Sequence, residues 1–227
     1  MLLEAVLIVG SILLAFAIDA GWNSRIERLE SEGTLLSLRA DFVATAEEAA
    51  RVATTHRLRV DRFTRFAELD LNEIRSIPED SIAHYQIGFL NPRSLDPVMG
   101  TLDAMIGAGR LGLVGDEGLR SDLTSFRNQV EDSREELAWL QGTSLELWRE
   151  FAAMGGPWKG PGALGEASIH LTRATHSDLE RIYADPALMG LIRLNLEFAI
   201  SYAFAVERLE ALAVKIVQRI DQIIPAT

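Results

Sequence analysis

The sequence predicts an all-α protein: an N-terminal transmembrane helix that continues into an antiparallel helical bundle. Three observations predict it. Residues 2–18, LLEAVLIVGSILLAFAI, form a nearly unbroken apolar run that Asp19 closes. Beyond Trp22, apolar residues recur every three or four positions in long stretches, the spacing that lines one face of a helix. No stretch alternates apolar and polar residues over the length of a strand. The implied boundaries are residues 1–22 for a transmembrane anchor and residues 23–227 for an extramembrane helical bundle domain.

The anchor is short. Between Glu4 and Asp19 lie 14 uncharged residues, about 21 Å of helix at 1.5 Å per residue. A bilayer hydrocarbon core is roughly 30 Å thick. Leu2 through Gly21 makes 20 residues, a full span with Glu4 near one edge and Trp22 at the other interface, where indole rings are favoured. A cleaved signal peptide is the main rival, because Ala15-Phe16-Ala17 has a small-x-small pattern, but the positively charged start of such peptides is missing. Glu4 either lies hydrated among headgroups or is drawn to a cationic or hydrogen-bonding group on another subunit. Gly10, Ser11 and Ala15 are small, and the four-residue step from Ser11 to Ala15 would let a neighbouring helix approach closely. Arg25, Arg28 and Arg39 follow the span with no Lys or Arg before it, which by the positive-inside rule places the large domain in the cytoplasm.

The first body helix carries Ile26, Leu29, Leu36, Val43 and Ala50 at near-heptad spacing, then Phe63, Phe66 and Leu69. It is expected to run unbroken from the membrane to about Asp70, with Gly33 as a point of bending. Residues 76–95 read as loop, broken by Pro78 and Pro92. Asp96-Pro97 has the form of a helix start, a side-chain cap followed by a first-turn proline, and Gly107 and Gly109 end that helix. Asp116 or Glu117 opens the next, whose stripe runs from Leu119 through Phe126, Val130, Leu140 and Leu147 to Phe151. Residues 154–166 are a Gly/Pro loop. Ser177 or Asp178 is expected to cap a short turn, and Asp185-Pro186 starts a last helix that Pro225 ends.

Composition narrows the chemistry. With 33 acidic against 22 basic residues the net charge is −11, which opposes nucleic acid and broad adhesion to anionic lipid. The absence of cysteine removes disulfides, thiolate catalysis and cysteine metal sites. Gly107 to Gly112 spells G-x-G-x-x-G, but a dinucleotide site needs a preceding strand, and here a helix precedes it. His56, His84, His170 and His176 have no zinc-ligand spacing, and no nucleophile elbow, Walker loop or EF-hand loop occurs. The sequence predicts no enzyme, no catalytic or metal site and no cofactor.

Arg51, Arg57, Arg59, Arg62 and Arg65 concentrate positive charge in an acidic chain. Asp61 lies four residues from both Arg57 and Arg65, suited to intrahelical pairing, and acidic residues at 131–136 could pair with the same patch. Internal pairing is favoured over a docking site for an acidic partner. Trp158, in the Gly/Pro loop, either packs back on the bundle or anchors a partner. Trp139 and Trp148 are expected in the core.

Glu4-Ala5-Val6-Leu7-Ile8-Val9, Ile12-Leu13-Leu14-Ala15 and the Ile18-Asp19 to Trp22-Asn23 junction together resemble an uncharacterised bacterial family of single-span membrane proteins. Further similarity lies at Met105-Ile106, Gly109, Leu111, Leu113-Val114 and Asp116 to Arg120, and along Leu188 to Ile223. The resemblance implies a bacterial inner-membrane protein with a helical domain on the periplasmic side, opposite to the charge rule, and it supplies no catalytic residues. The expected function is a non-catalytic accessory subunit of a larger membrane complex, respiratory, photosynthetic or transport, with lipid and other membrane-protein subunits as partners. A membrane-tethered sensor or ligand-binding bundle is the alternative and would need a cavity of drug-like size. A homo-oligomeric stalk over residues 26–69 is not favoured, because Gly33, Glu47 and Arg57 interrupt its heptads.

Overall fold

The computed structural model describes residues 2–78, 81, 92–153 and 175–224, and every element among them is helical. Helix α1 spans Leu2–Glu68, 67 residues without a break. Then follow α2 (Leu71–Ser76), α3 (Gly100–Gly107), a 3-10 turn (Arg110–Leu113), α4 (Glu117–Ala153), α5 (His176–Ala184) and α6 (Pro186–Ile223). Gly33 and Gly142 interrupt neither of their helices. A lone glycine costs only about 1 kcal/mol against alanine, which a long packed helix absorbs.

The ends of the helices show which local signals won. Asp116 Oδ1 accepts from the Leu119 amide at 2.6 Å. Asp185 Oδ1 accepts from Ala187 and Leu188 at 2.9 and 3.1 Å. Both capping aspartates are those the sequence marks, since a side-chain oxygen there satisfies amides that have no intrahelical partner. Gly109 stands at φ 66° after α3, a left-handed conformation that glycine adopts without steric cost. Three boundaries differ from expectation. α3 begins at Gly100 rather than Asp96, α5 is capped by Thr175 rather than Ser177 or Asp178, and a separate short helix, α2, lies between the expected end of α1 near Asp70 and the expected loop at 76–95.

The chain divides into two compact units, and α1, α4 and α6 each contribute a segment to both. The first comprises residues 1–44, 98–124 and 214–227. Its buried residues include Leu38 and Phe42 from α1, Leu102 from α3, Leu119 and Leu123 from α4, and Ile216 and Ile220 from α6. A charged cluster stands beside them. The buried Asp122 accepts from Lys215 Nζ at 2.7 Å through Oδ1. Arg219 Nε lies 2.7 Å from its Oδ2, an ionic contact without the alignment of a hydrogen bond. Gly118 keeps the first turn of α4 open for that guanidinium, because a Cβ there would overlap Arg219.

The second unit comprises residues 45–97 and 125–213. Phe63, Phe66, Ile74, Phe151, Ile182 and Ile192 belong to one apolar cluster that draws on α1, α2, α4, α5 and α6. Asn195 is a buried polar exception on α6. Its amide donates to Thr143 Oγ1 at 2.7 Å, Ser144 Oγ at 3.0 Å and the Leu140 carbonyl at 3.4 Å. Its two amide hydrogens are thus shared among three acceptors, as buried donors require. Trp139 and Trp148, expected in the core, are instead largely exposed on α4, Trp139 tilted against Phe198 at a ring separation of 5.9 Å.

Helix α6 is long and apolar enough to cross a membrane, and half of its most apolar window is buried inside the protein. The shorter apolar helical stretch Leu13–Trp22 lies near the other end of the chain.

Candidate functional site

Helix α1 presents two features of functional interest. The first is Leu13–Trp22. Leu13, Leu14, Phe16, Ile18 and Trp22 are between 62% and 69% exposed. At 100° per residue, positions 13, 14, 15 and 16, all exposed, point in four different directions. No described side of this stretch is therefore covered by the protein. Isolated exposed apolar residues need no explanation, but a contiguous apolar surface of this kind marks a membrane or protein contact. Gly10 and Ala15 are exposed within the same helix, and a Cβ at Gly10 would meet nothing within 4 Å. Glu4 and Ser11 lie in α1, their side chains outside the described ones, and Trp158 lies outside the described residues.

The second is the arginine-rich segment. Arg51 pairs with Glu48 at 2.6 Å, and Arg93 reaches the same carboxylate at 3.0 Å. The Arg51 hydrogen bond is the main cause holding the Glu48 carboxyl below its ordinary range, with Arg93 adding to it. Arg57 pairs with Glu207 of α6 at 2.5 Å rather than with Asp61. Arg59 is half-buried, and desolvation lowers its pKa. Arg62 and Arg65 are exposed and form no ion pair among the described residues, and neither does Asp61. In the 131–136 segment, Glu131 pairs with Arg134, and Glu136 lies 3.9 Å from Arg208. The structure thus brings Arg51 and Arg57 to carboxylates but leaves Arg62 and Arg65 facing solvent.

Beside Arg59 lies a cavity of about 10 Å³ lined by His56, Phe63, Pro92, Leu140, Ser144, Asn195 and Ala199. That is close to the smallest space that seats one water, far below the several hundred Å³ of a small-molecule site. His56 is buried edge-on to Tyr202, with ring centroids 4.8 Å apart. Its Nε2 lies 2.9 Å from the Arg93 carbonyl, and since a carbonyl only accepts, Nε2 carries the proton. Tyr202 Oη accepts from the Leu95 amide at 2.9 Å. His56 and Tyr202 together hold the segment at 93–95. Sequence reasoning missed this pair, because neither residue has a spacing that marks it. Outside it, His176 bonds the Ile77 carbonyl at 2.6 Å. No cluster of three or more His, Asp or Glu side chains able to hold a metal occurs among the described residues.

Burial pushes His56 below its ordinary value, the Arg59 charge acts in the same direction, and the Arg93 hydrogen bond opposes both. The unfolded chain, with a histidine pKa of about 6.5, therefore binds the proton first as pH falls. Stability is expected to decline below about pH 6.5. Glu136 acts with the opposite sign, because burial raises its carboxyl, so its protonation favours the folded state. Comparing urea midpoints of the protein and His56→Gln between pH 5 and 8 isolates the histidine. The protein is expected to lose stability more steeply than the variant, and equal slopes would refute the assignment.

No family model matches the chain, and neither a curated protein nor a solved structure does.

Proposed function

We propose that this protein is a non-catalytic, membrane-anchored accessory subunit of a larger membrane complex. One observation carries the reading: the apolar helix Leu13–Trp22 is exposed on every described side and is continuous with a 67-residue helix. In water such a surface is unfavourable by about 25 cal/mol for each Å², whereas lipid or partner helices would cover it. The anchor is residues 1–22, and the remainder is an antiparallel helical bundle. Supporting the antiparallel sense, Glu136 of α4 stands near Arg208 of α6 while Thr143 meets Asn195, so the numbering rises along one helix as it falls along the other. The bacterial single-span family named above is the kin we assign, with an inner-membrane location and the large domain in the periplasm.

Within this reading, Glu4, Gly10, Ser11 and Ala15 meet a neighbouring helix and Trp22 sits at the membrane interface. Arg62 and Arg65 are the cations left for an acidic partner, since Arg51 and Arg57 already have carboxylates. A ligand-binding bundle has less support, because the enclosed cavity beside His56 has room for about one water and the larger grooves, beside Gly33 and beside Arg51, are open to solvent rather than enclosing. Extraction of native membranes in mild detergent, followed by mass spectrometry of co-purifying proteins, tests the proposal. Stoichiometric membrane subunits are expected. Recovery of this chain without any other protein would overturn the accessory role.

A further inference from the structure

Past the anchor, α1 keeps an apolar row that the fold does not use. Trp22, Ile26, Leu29 and Leu36 are 42% to 64% exposed, and Gly33 between them is open to solvent. The steps 22, 26, 29, 33, 36 alternate four and three, the repeat of a coiled-coil seam. At 100° per residue this row lies on the opposite side of α1 from Leu35, Leu38 and Phe42, which are buried in the first unit's core. Arg25, Glu30 and Glu32 flank the row, so these turns belong in water rather than in hydrocarbon. A second protein surface laid along the row would take these side chains out of water.

We infer that the occupant is a second copy of this chain, packed parallel and in register along residues 22–36. The inference rests on the membrane-anchor reading for its parallel sense, since two chains entering one bilayer from the same side run the same way. Two further features select a dimer. Ile26 falls at one a position and Gly33 at the other, with Leu29 and Leu36 at d positions, and isoleucine at a with leucine at d favours two parallel strands. In the same register Arg25 at g faces Glu30 at e of the other copy, an attractive pair, while Glu32 at g faces Ser37, so no like charges meet. Arg25 forms no ion pair among the described residues, and Glu30 engages Arg110 through Oε2 alone. At Gly33 the seam opens on a groove of about 510 Å³ bordered by Gly100, Thr101 and Ala104 of the same unit, which leaves the backbones free to approach there. Gly33 takes the second a position of this segment, and the interruptions at Glu47 and Arg57 lie beyond it.

The chain has no cysteine, so single-cysteine variants of the full protein in its native membrane give a clean assay. Ile26→Cys, Leu29→Cys and Leu36→Cys are each expected to oxidise to disulfide-linked dimers, while exposed Glu146→Cys stays monomeric. A parallel in-register seam is what makes all three self-pairs form, because an antiparallel one would allow a self-pair near its centre only. Leu29→Glu with Leu36→Glu is expected to abolish the dimer in detergent sedimentation without loss of helical circular dichroism, since both residues lie outside the core. Monomeric cysteine variants in the membrane fraction, or dimers at Glu146→Cys equal to those at the seam, would overturn the inference and leave the anchor standing. Release of the unmodified protein from membranes would instead overturn the anchor reading.

Discussion

Phe66→Ala is expected to lower stability by about 3–5 kcal/mol, the range for truncating a fully buried phenylalanine. Phe66 is 1% exposed within the apolar cluster that joins the end of α1 to α2, α4, α5 and α6. Three losses combine. Transfer of the ring from water accounts for about 1.5–3 kcal/mol. The vacated space adds a cavity term, because neighbours on five helices cannot all move inward together. The edge-to-face contact with Tyr183, at 5.2 Å and 63°, contributes about 0.5–1.5 kcal/mol more. The Tyr183 hydroxyl also donates to the Phe66 carbonyl, and that bond survives the substitution, so the ring is what is tested. At about 2–4 °C for each kcal/mol in a chain of this size, the melting temperature should fall by roughly 6–20 °C. Phe204→Ala is the control, since Phe204 is largely exposed and should shift stability by no more than about 0.5 kcal/mol. Equal melting temperatures for the two variants would remove Phe66 from the core.

Local signals were legible wherever a short stretch of sequence decides the outcome. Asp116 and Asp185 cap α4 and α6 because a carboxylate three residues before a helical stripe has no better partner than the free amides. The same logic was present, unnoticed, at Asp70-x-x-Glu73 and Thr175-x-x-Asp178, which form reciprocal capping boxes in the structure. Asp96 was misleading for a tertiary reason. Its carboxylate takes the Ser94 hydroxyl at 3.1 Å, and the adjacent Leu95 amide is held by Tyr202 from α6, so the helix does not begin until Gly100. Trp139 and Trp148 show how sharp helical periodicity is. Each is one residue from a buried leucine, Leu140 or Leu147, and that single 100° step carries the indole out of the core.

The candidate site was legible in one part only. Apolarity of residues 2–18 is a property of the sequence itself, whereas the pairing of Arg57 depends on where α6 places Glu207. Intrahelical spacing offered Asp61, but an exposed i,i+4 pair contributes only about 0.3–0.5 kcal/mol, too little to hold Arg57 against a competing carboxylate. Asn195 carried a readable signal: it falls on the stripe of Leu188, Ile192, Ala199 and Tyr202, and a polar residue at a core position must find internal partners. Which partners it finds, Thr143 and Ser144, only the packing decides.

Leu13→Arg combined with Leu14→Arg is expected to move the protein from the carbonate-resistant membrane fraction to the soluble fraction. Leucine near the centre of a spanning helix is favourable by about 0.3–0.6 kcal/mol, and arginine is unfavourable by about 2.5–3.5 kcal/mol. Each substitution therefore costs about 3–4 kcal/mol and the pair about 6–8 kcal/mol. The proposed span has little to set against that, with 14 uncharged residues between Glu4 and Asp19. Snorkelling gives little relief, because both positions lie well inside the run and arginine would have to reach either interface past apolar turns. Leu13 and Leu14 are 62% and 63% exposed and hold no part of the core, so helical circular dichroism should be unchanged and partition alone should respond. The same measurement separates the two apolar helices. Helix α6 passes the length and hydropathy test but buries half of its apolar window, and arginine at Leu13 and Leu14 does not touch it. If the double variant stays in the membrane with its helical signal intact, the N-terminal helix is not the anchor, and α6 becomes the segment to mutate next.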